Sequence, residues 1–272
     1  MKATGDLIIP SLNQSFSSSE INTSLTEAGL LVDHTEAIAQ LYAEHLSWKA
    51  TKKAWHEGRV SGRGSRHSAQ KIFRIIRDRL QVETSSLASV PALANLLKHC
   101  FNETSKAQTL YLYLLVEDNL LRSVVHELLN DQGIDQARWD LSSETLTKYI
   151  KSLSYKNGKA IKYADSTTHR WIQGLRSVFR DIGVLANARD QEGKAPILDD
   201  IPLHCSAVYD WQKQGKSWAK SPTTWAYLLQ SPIHWDTLRS RLLDTNRWET
   251  HRFQNVIALK PKKEDRPFQW NE

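Results

Sequence analysis

Apolar residues recur at helical spacing along most of this chain. From Leu25 onward, Ile38, Leu41, Tyr42 and His45 share one side of a segment that Asp33 or Thr35 is placed to cap. A short segment with Trp48 and Trp55 follows. The stretch Arg66 to Leu80 has the clearest period in the first half, with Ala69, Ile72, Phe73, Ile76 and Leu80 on one arc. Pro91 suits the first turn of a helix through Leu96 and Leu97, and Thr104 or Ser105 is placed to cap one through Leu110, Leu114 and Val116. A helix with Leu120, Leu121, Val124, Val125 and Leu128 then ends near Gly133. These segments are apolar over wide arcs, as buried bundle helices are. Another helix starts at Ser142 or Ser143 with Leu146, Tyr149, Ile150 and Leu153 inward. After a break at Asn157-Gly158, a further one runs from Asp165 or Ser166 to about Asp181.

Beyond Gly183 the pattern changes. Gly193, Pro196 and Pro202 surround short apolar runs at Val184-Leu185 and Ile197-Leu198, which predicts a small ribbon or wing. Trp211, Trp218 and Trp225 lie seven apart, but Gly215 and Pro222 between them argue against one continuous helix. Asn255 to Leu259 reads as a closing strand before a basic tail with Lys260, Lys262 and Lys263. The expected fold is therefore mostly α, a helical bundle with a winged helix-turn-helix-like unit and a small amount of β near the C-terminal end. Four segments follow: a loose Ser-rich arm (1–24), a helical domain (25–138), the helix-turn-helix or winged unit (139–204) and a Trp-rich extension (205–272).

Composition narrows the class. A chain of 272 residues with 40% hydrophobic and 24% charged residues is globular and large enough to bury a core without staples. Two cysteines cannot form a disulfide framework, and Asp6 and Pro10 interrupt any apolar run after Met1, so a cytoplasmic protein with free thiols is expected. The charge-free apolar stretch from Ala107 to Val116 is about half of what a bilayer crossing needs, so no membrane span is expected. The net charge of +6 is compatible with a nucleic-acid partner.

Its distribution points to two surfaces. On the Arg66–Leu80 wheel, Arg66, Gln70, Arg74 and Arg77 fall on a second arc, away from the apolar one. With Arg59, Arg63, Lys71 and Arg79, the run from 59 to 79 holds seven basic residues and one acid, Asp78. Like charges one turn apart destabilise a helix slightly, so such a stack calls for a partner: a polyanion, or acids on neighbouring helices. The second surface spans 142 to 182. A turn bearing Lys156, Lys159 and Lys162 leads to a helix with Trp171, Ile172, Leu175, Val178, Phe179 and Ile182 on one face. Its other face holds His169, Arg170, Gln173, Arg176, Ser177 and Arg180. That face has the chemistry of a recognition helix: Arg bonds guanine, Gln bonds adenine, and Ser or Arg holds phosphate. The turn is longer than the usual three or four residues of a helix-turn-helix.

Catalytic patterns are missing. His99-Cys100 and His204-Cys205 are adjacent pairs with no third ligand in register, which predicts no metal site. Gly215-Lys216-Ser217 lacks the leading glycine of a phosphate loop, since Asp210 stands there, and the glycines at 58, 62 and 64 follow no strand. There is no serine-nucleophile elbow, and no cofactor is expected.

The order of LTEAGLLVDHTEAIAQLYAEHLSW (25–48), RHSAQKIFRIIRDRL (66–80), the apolar block Ala107 to Leu129, and WIQGLRSVFRDIGVL (171–185) resembles the BrxA family, accessory factors of BREX (bacteriophage exclusion) cassettes. The resemblance covers about residues 25 to 200 and lies in segment order rather than a catalytic motif. It implies a mostly helical, NusB-like fold and double-stranded DNA binding in phage defence. It also implies work beside a DNA methyltransferase, a phosphatase-like protein and an ATPase, and it supplies no catalytic residues. The Ser-rich arm and the extension beyond about Ser206 depart from the pattern. Two other readings stand: an RNA-binding factor, or a protein-interaction subunit whose arginines dock acidic partners with the Trp-rich segment as apolar anchor.

Overall fold

The computed structural model describes residues 24–57, 66–81, 86–155, 158–253 and 256–270. The Ser-rich arm up to residue 23 and the stretches 58–65, 82–85 and 156–157 lie outside them. Among the described residues the protein is mostly α-helical. The first helices are α1 (Val32–His45), α2 (Trp48–Glu57), α3 (Arg66–Leu80), α4 (Val90–His99), α5 (Glu103–Glu117) and α6 (Asn119–Gln132). After the two-residue strand β1 (Trp139–Asp140) come α7 (Ser143–Ser152), α8 (Asp165–Asp181) and a second short strand, β2 (Glu192–Gly193). The chain closes with α9 (Asp200–Gln214), α10 (Thr223–Tyr227), α11 (Trp235–Asp244) and the hairpin of β3 (Trp248–Phe253) and β4 (Val256–Pro261).

The ten-residue apolar run is the centre of the fold. In α5 every residue from Ala107 to Leu115 is buried, and the helix packs against α1, α3, α6, α8 and α9. A helix apolar all round needs neighbours all round. No described helix is long and apolar enough to cross a membrane. One core runs from Leu25 to Leu259, so α5 of the first half packs directly on α9 of the last third.

Side-chain caps set several helix starts. Asn102, not Thr104 or Ser105, caps α5: its Oδ1 accepts from Ser105 N at 2.8 Å. Ser105 sits three residues inside, where it donates to the cap. Asp118 and Ser142 cap α6 and α7 from Leu121 N and Thr145 N. Neither Asp33 nor Thr35 caps α1, which begins after Leu31 in the left-handed region (φ 54°); the Thr35 hydroxyl donates to Leu30 O instead.

The expected ribbon forms elsewhere than expected. β2 is Glu192–Gly193, paired antiparallel with Trp139–Asp140, whereas Val184 and Leu185 form no strand. Gly183 (φ +84°) ends α8, and the N–H groups of Val184 and Leu185 return to Phe179 O, which folds both side chains into the core. Ile197 is 85% exposed. Gly193 lets the ribbon pack closely here: a Cβ would lie 2.5 Å from Leu141 Cδ1 and 2.8 Å from Val184 Cγ1, so those side chains would have to shift. The closing strand does form. The three evenly spaced tryptophans lie on α9, on a 3₁₀ turn (Gly215–Lys220) and on α10, with Trp218 packed between Trp225 and Trp248 at 5.6 and 5.4 Å.

Candidate nucleic-acid interface

Residues 24–30 form a strap between the two basic helices. Gly174 on α8 admits it: a Cβ there would sit 2.1 Å from Leu25 O, so only glycine lets the backbones meet. On the other side, Glu27 pairs with Arg74 at 2.7 Å and Lys71 at 3.9 Å, both on α3. Arg79 donates to Gly29 O at 2.5 Å and Ala28 O at 2.9 Å. Arg79 is 6% exposed, and desolvation lowers its pKa against the opposing fields of Glu117 and Asp118. It is the strap's buried anchor. The wheel contained the signal for it, since 79 is three residues from Ile76 and seven from Ile72, on the apolar arc.

Helix α3 turns its remaining polar face outward. Arg66 is exposed, and Arg77 pairs with its neighbour Asp78 at 2.7 Å. The acids that meet this stack come from the strap, Glu27, and from α3 itself, Asp78, rather than from a neighbouring helix. Arg59 and Arg63 lie outside the described residues.

Helix α8 buries Trp171, Ile172, Leu175, Val178 and Phe179, as its period requires. Its other face divides into three roles. Arg170 and Gln173 are exposed, with Gln173 Nε2 2.9 Å from His169 Nε2. Arg176 is a structural clamp whose guanidinium donates to Leu141 O and Asp190 O at 2.6 Å and to Ala188 O at 3.0 Å. It holds the β1–β2 ribbon and the turn before it against the helix, so its donors already have partners. Ser177 lies against Gly29 of the strap and accepts from Arg180 at 2.9 Å, while Arg180 also reaches Asp181 at 3.4 Å. Lys159 and Lys162 are exposed on the α7–α8 connection. Lys156 lies outside the described residues.

A second basic concavity joins residues far apart in sequence. Arg247, Lys262, Lys263 and Arg266 line a cleft of about 320 Å³ at the base of the β3–β4 hairpin. The Arg247 guanidinium lies 3.9 Å from the Trp270 ring centroid and donates to Gln269 O at 2.9 Å. Lys262 bonds the Asn246 amide oxygen, and Arg266 meets Asp265 at 3.6 Å. His204 forms the floor: its Nδ1 accepts from Trp248 Nε1 at 2.9 Å and its Nε2 donates to Pro267 O at 2.7 Å. Burial lowers its pKa to about 4, so it is neutral. The linear order marked only the lysines of this set, because Arg247 joins them through strand pairing.

Among the described residues no three His, Cys, Asp or Glu side chains gather as a metal site. Cys205 is buried, and burial pushes the half-buried Cys100 thiol up to about 11.

The BrxA family model matches residues 19–204. The chain belongs to the BrxA family. That membership links it to bacteriophage-exclusion systems, and the match contains α3, the strap and α8 and ends at His204, before the basic residues of the hairpin cleft. No curated protein matches the chain. A solved structure described as an uncharacterized protein from Magnetospirillum magneticum shares the fold. It has a TM-score of 0.57 and 12% identity, and the alignment covers 77% of this chain and 99% of that one.

Proposed function

We propose that this family member is a non-catalytic, double-stranded DNA-binding accessory factor of a BREX-type phage-defence system, acting in the cytoplasm beside its methyltransferase, phosphatase-like and ATPase components. The observation that carries this reading is the strap, which joins both basic helices into one wall within the family-matched region. Helices of 15 and 17 residues are about 22 and 25 Å long, enough to follow a duplex backbone over several phosphates. Arg66, Lys71, Arg74 and Arg77 supply phosphate contacts from one side. Lys159, Lys162, Arg170 and Arg180 supply them from the other, with Gln173 positioned to read a base edge. The order β1–α7–α8–β2 supports a winged helix-turn-helix reading of this half, with a connection of residues 153–164 in place of a tight turn.

Exposed carboxylate pairs do not oppose this function. Pairs such as Arg74–Glu27, with side chains 55% and 36% exposed, are worth about 0–1 kcal/mol, so a phosphate displaces the carboxylate at little cost. The test is fluorescence anisotropy of a duplex of about 30 base pairs. Neutralising about five phosphates gives a slope of about −4.5 in log affinity against log salt. An affinity insensitive to salt, or no binding at low salt, overturns the reading.

A further inference from the structure

A cleft of about 310 Å³ opens where α5, α6, α9 and α10 meet, on elements that the nucleic-acid wall does not use. Its volume lies at the lower end of small-molecule sites, about 300–1,000 Å³. Leu112, Leu115 and Val116 of α5 form an apolar wall. Arg122, Tyr209 and Tyr227 line it as well.

The polar groups are incompletely satisfied. One nitrogen of Arg122, Nη1, donates to Leu115 O and Val116 O, closing the C-terminal end of α5. The rest of this largely buried guanidinium, which burial destabilises as a cation, is acted on first by Tyr209 and Tyr227 and then by Asp118 and Glu117. Tyr227 is 4% exposed, and its hydroxyl has no hydrogen-bond partner among the described residues. The adjacent Thr224 hydroxyl is committed to Asp210 Oδ2 at 2.6 Å and Ser206 O at 3.1 Å, so it offers nothing further. A desolvated cation and an unpaired phenol beside an apolar wall are both relieved by one anionic group.

We propose that this cleft binds a small molecule bearing one carboxylate on a short apolar body. The carboxylate meets Arg122 and the phenols of Tyr209 and Tyr227, and the body lies on Leu112, Leu115 and Val116. A doubly charged phosphate suits the site less well, because Arg122 is the one cation among the described residues that line it, while Glu117 and Asp118 lie close enough to act on that arginine. The proposal does not depend on nucleic-acid binding.

The test titrates the full chain with octanoate by calorimetry, with octanamide and octyl phosphate as matched probes. The expected result is saturable one-to-one binding of octanoate, with each matched probe weaker by about tenfold or more. Tyr227→Phe keeps the ring in place and weakens octanoate by about threefold or more without lowering the urea midpoint of the free protein. Arg122→Lys, which retains a cation, weakens it less than Arg122→Gln. Absence of saturable octanoate binding overturns the proposal. So does an amide or phosphate that binds as tightly, or an octanoate affinity unchanged in Tyr227→Phe.

Discussion

In the wall of α3, strap and α8, cationic side chains mostly meet charged or carbonyl oxygen: Arg74 and Lys71 face Glu27, Arg77 faces Asp78, and Arg176 is bound to three backbone carbonyls. In the hairpin cleft Arg266 pairs with the Asp265 carboxylate at 3.6 Å and Arg247 also donates to Gln269 O, but Arg247 and Lys262 face no carboxylate in these contacts. Arg247 lies on the Trp270 ring and Lys262 on the Asn246 amide. Counting basic residues makes the wall the stronger anion site; the cleft has fewer but brings four of them into one concavity. What decides between them is shape and exchange. The cleft concentrates charge within one small concavity, whereas the wall spreads weakly held, exchangeable pairs along two helices. An extended polyanion therefore suits the wall.

The largest effect concerns the cleft's floor. His204 has a folded pKa of about 4 against an ordinary 6.5, so between these values the unfolded chain binds the extra proton and stability falls as pH drops. The full difference is about 3 kcal/mol. Asp118 and Asp210 act oppositely. Burial raises both to about 7, so their protonation favours the folded state as pH falls from about 7 towards the ordinary carboxylate range. Comparison with His204→Gln isolates the histidine: the stability difference, wild type minus variant, declines from pH 6.5 to 4 in urea denaturation. A flat difference means that His204 is not held neutral. On the wall, Arg176→Ala strands three carbonyls and lowers stability by about 2 kcal/mol. Its duplex affinity, measured on the folded fraction, stays near that of the wild type; a large affinity loss without destabilisation would return Arg176 to the binding surface.

Much of this was legible along the chain because it was local. The apolar arcs of α3, α5, α6 and α8 report burial directly, and so does the length of the central run. Failures came where a nearby turn or cap overrode the pattern, or where a distant residue intervened. Asn102 takes the α5 cap from Ser105 by standing one turn earlier, and Val184 and Leu185 are pulled into the core by the turn at Gly183. Arg176 is indistinguishable in sequence from Arg180; only the ribbon's carbonyls make it a clamp. The strap was invisible for the same reason, since Glu27 and Arg74 are 47 residues apart. Gly174 was its one local trace, a glycine inside an otherwise regular helix.

Paired charge reversals set the wall against the cleft directly. Arg74→Glu with Arg77→Glu weakens duplex binding about tenfold, about 1.4 kcal/mol, and makes the salt slope shallower by about two. Lys263→Glu with Arg266→Glu leaves that slope within about half a unit of wild type. The reverse ranking would move the DNA surface to the hairpin and outside the family-matched region.

The smallest effect is the most specific to the wall. Glu27→Gln removes the carboxylate that holds Lys71 and Arg74 but keeps the strap's size and its carbonyl bonds to Arg79. Because the pair is more than a third exposed, stability falls by less than about 1 kcal/mol. Both cations then reach phosphate without displacing a competitor, so duplex affinity rises about threefold at low salt and converges on the wild type as salt screens the pair. The same variant leaves binding untouched if Glu27 is only a surface contact away from the DNA, and anisotropy at two salt concentrations separates the two outcomes.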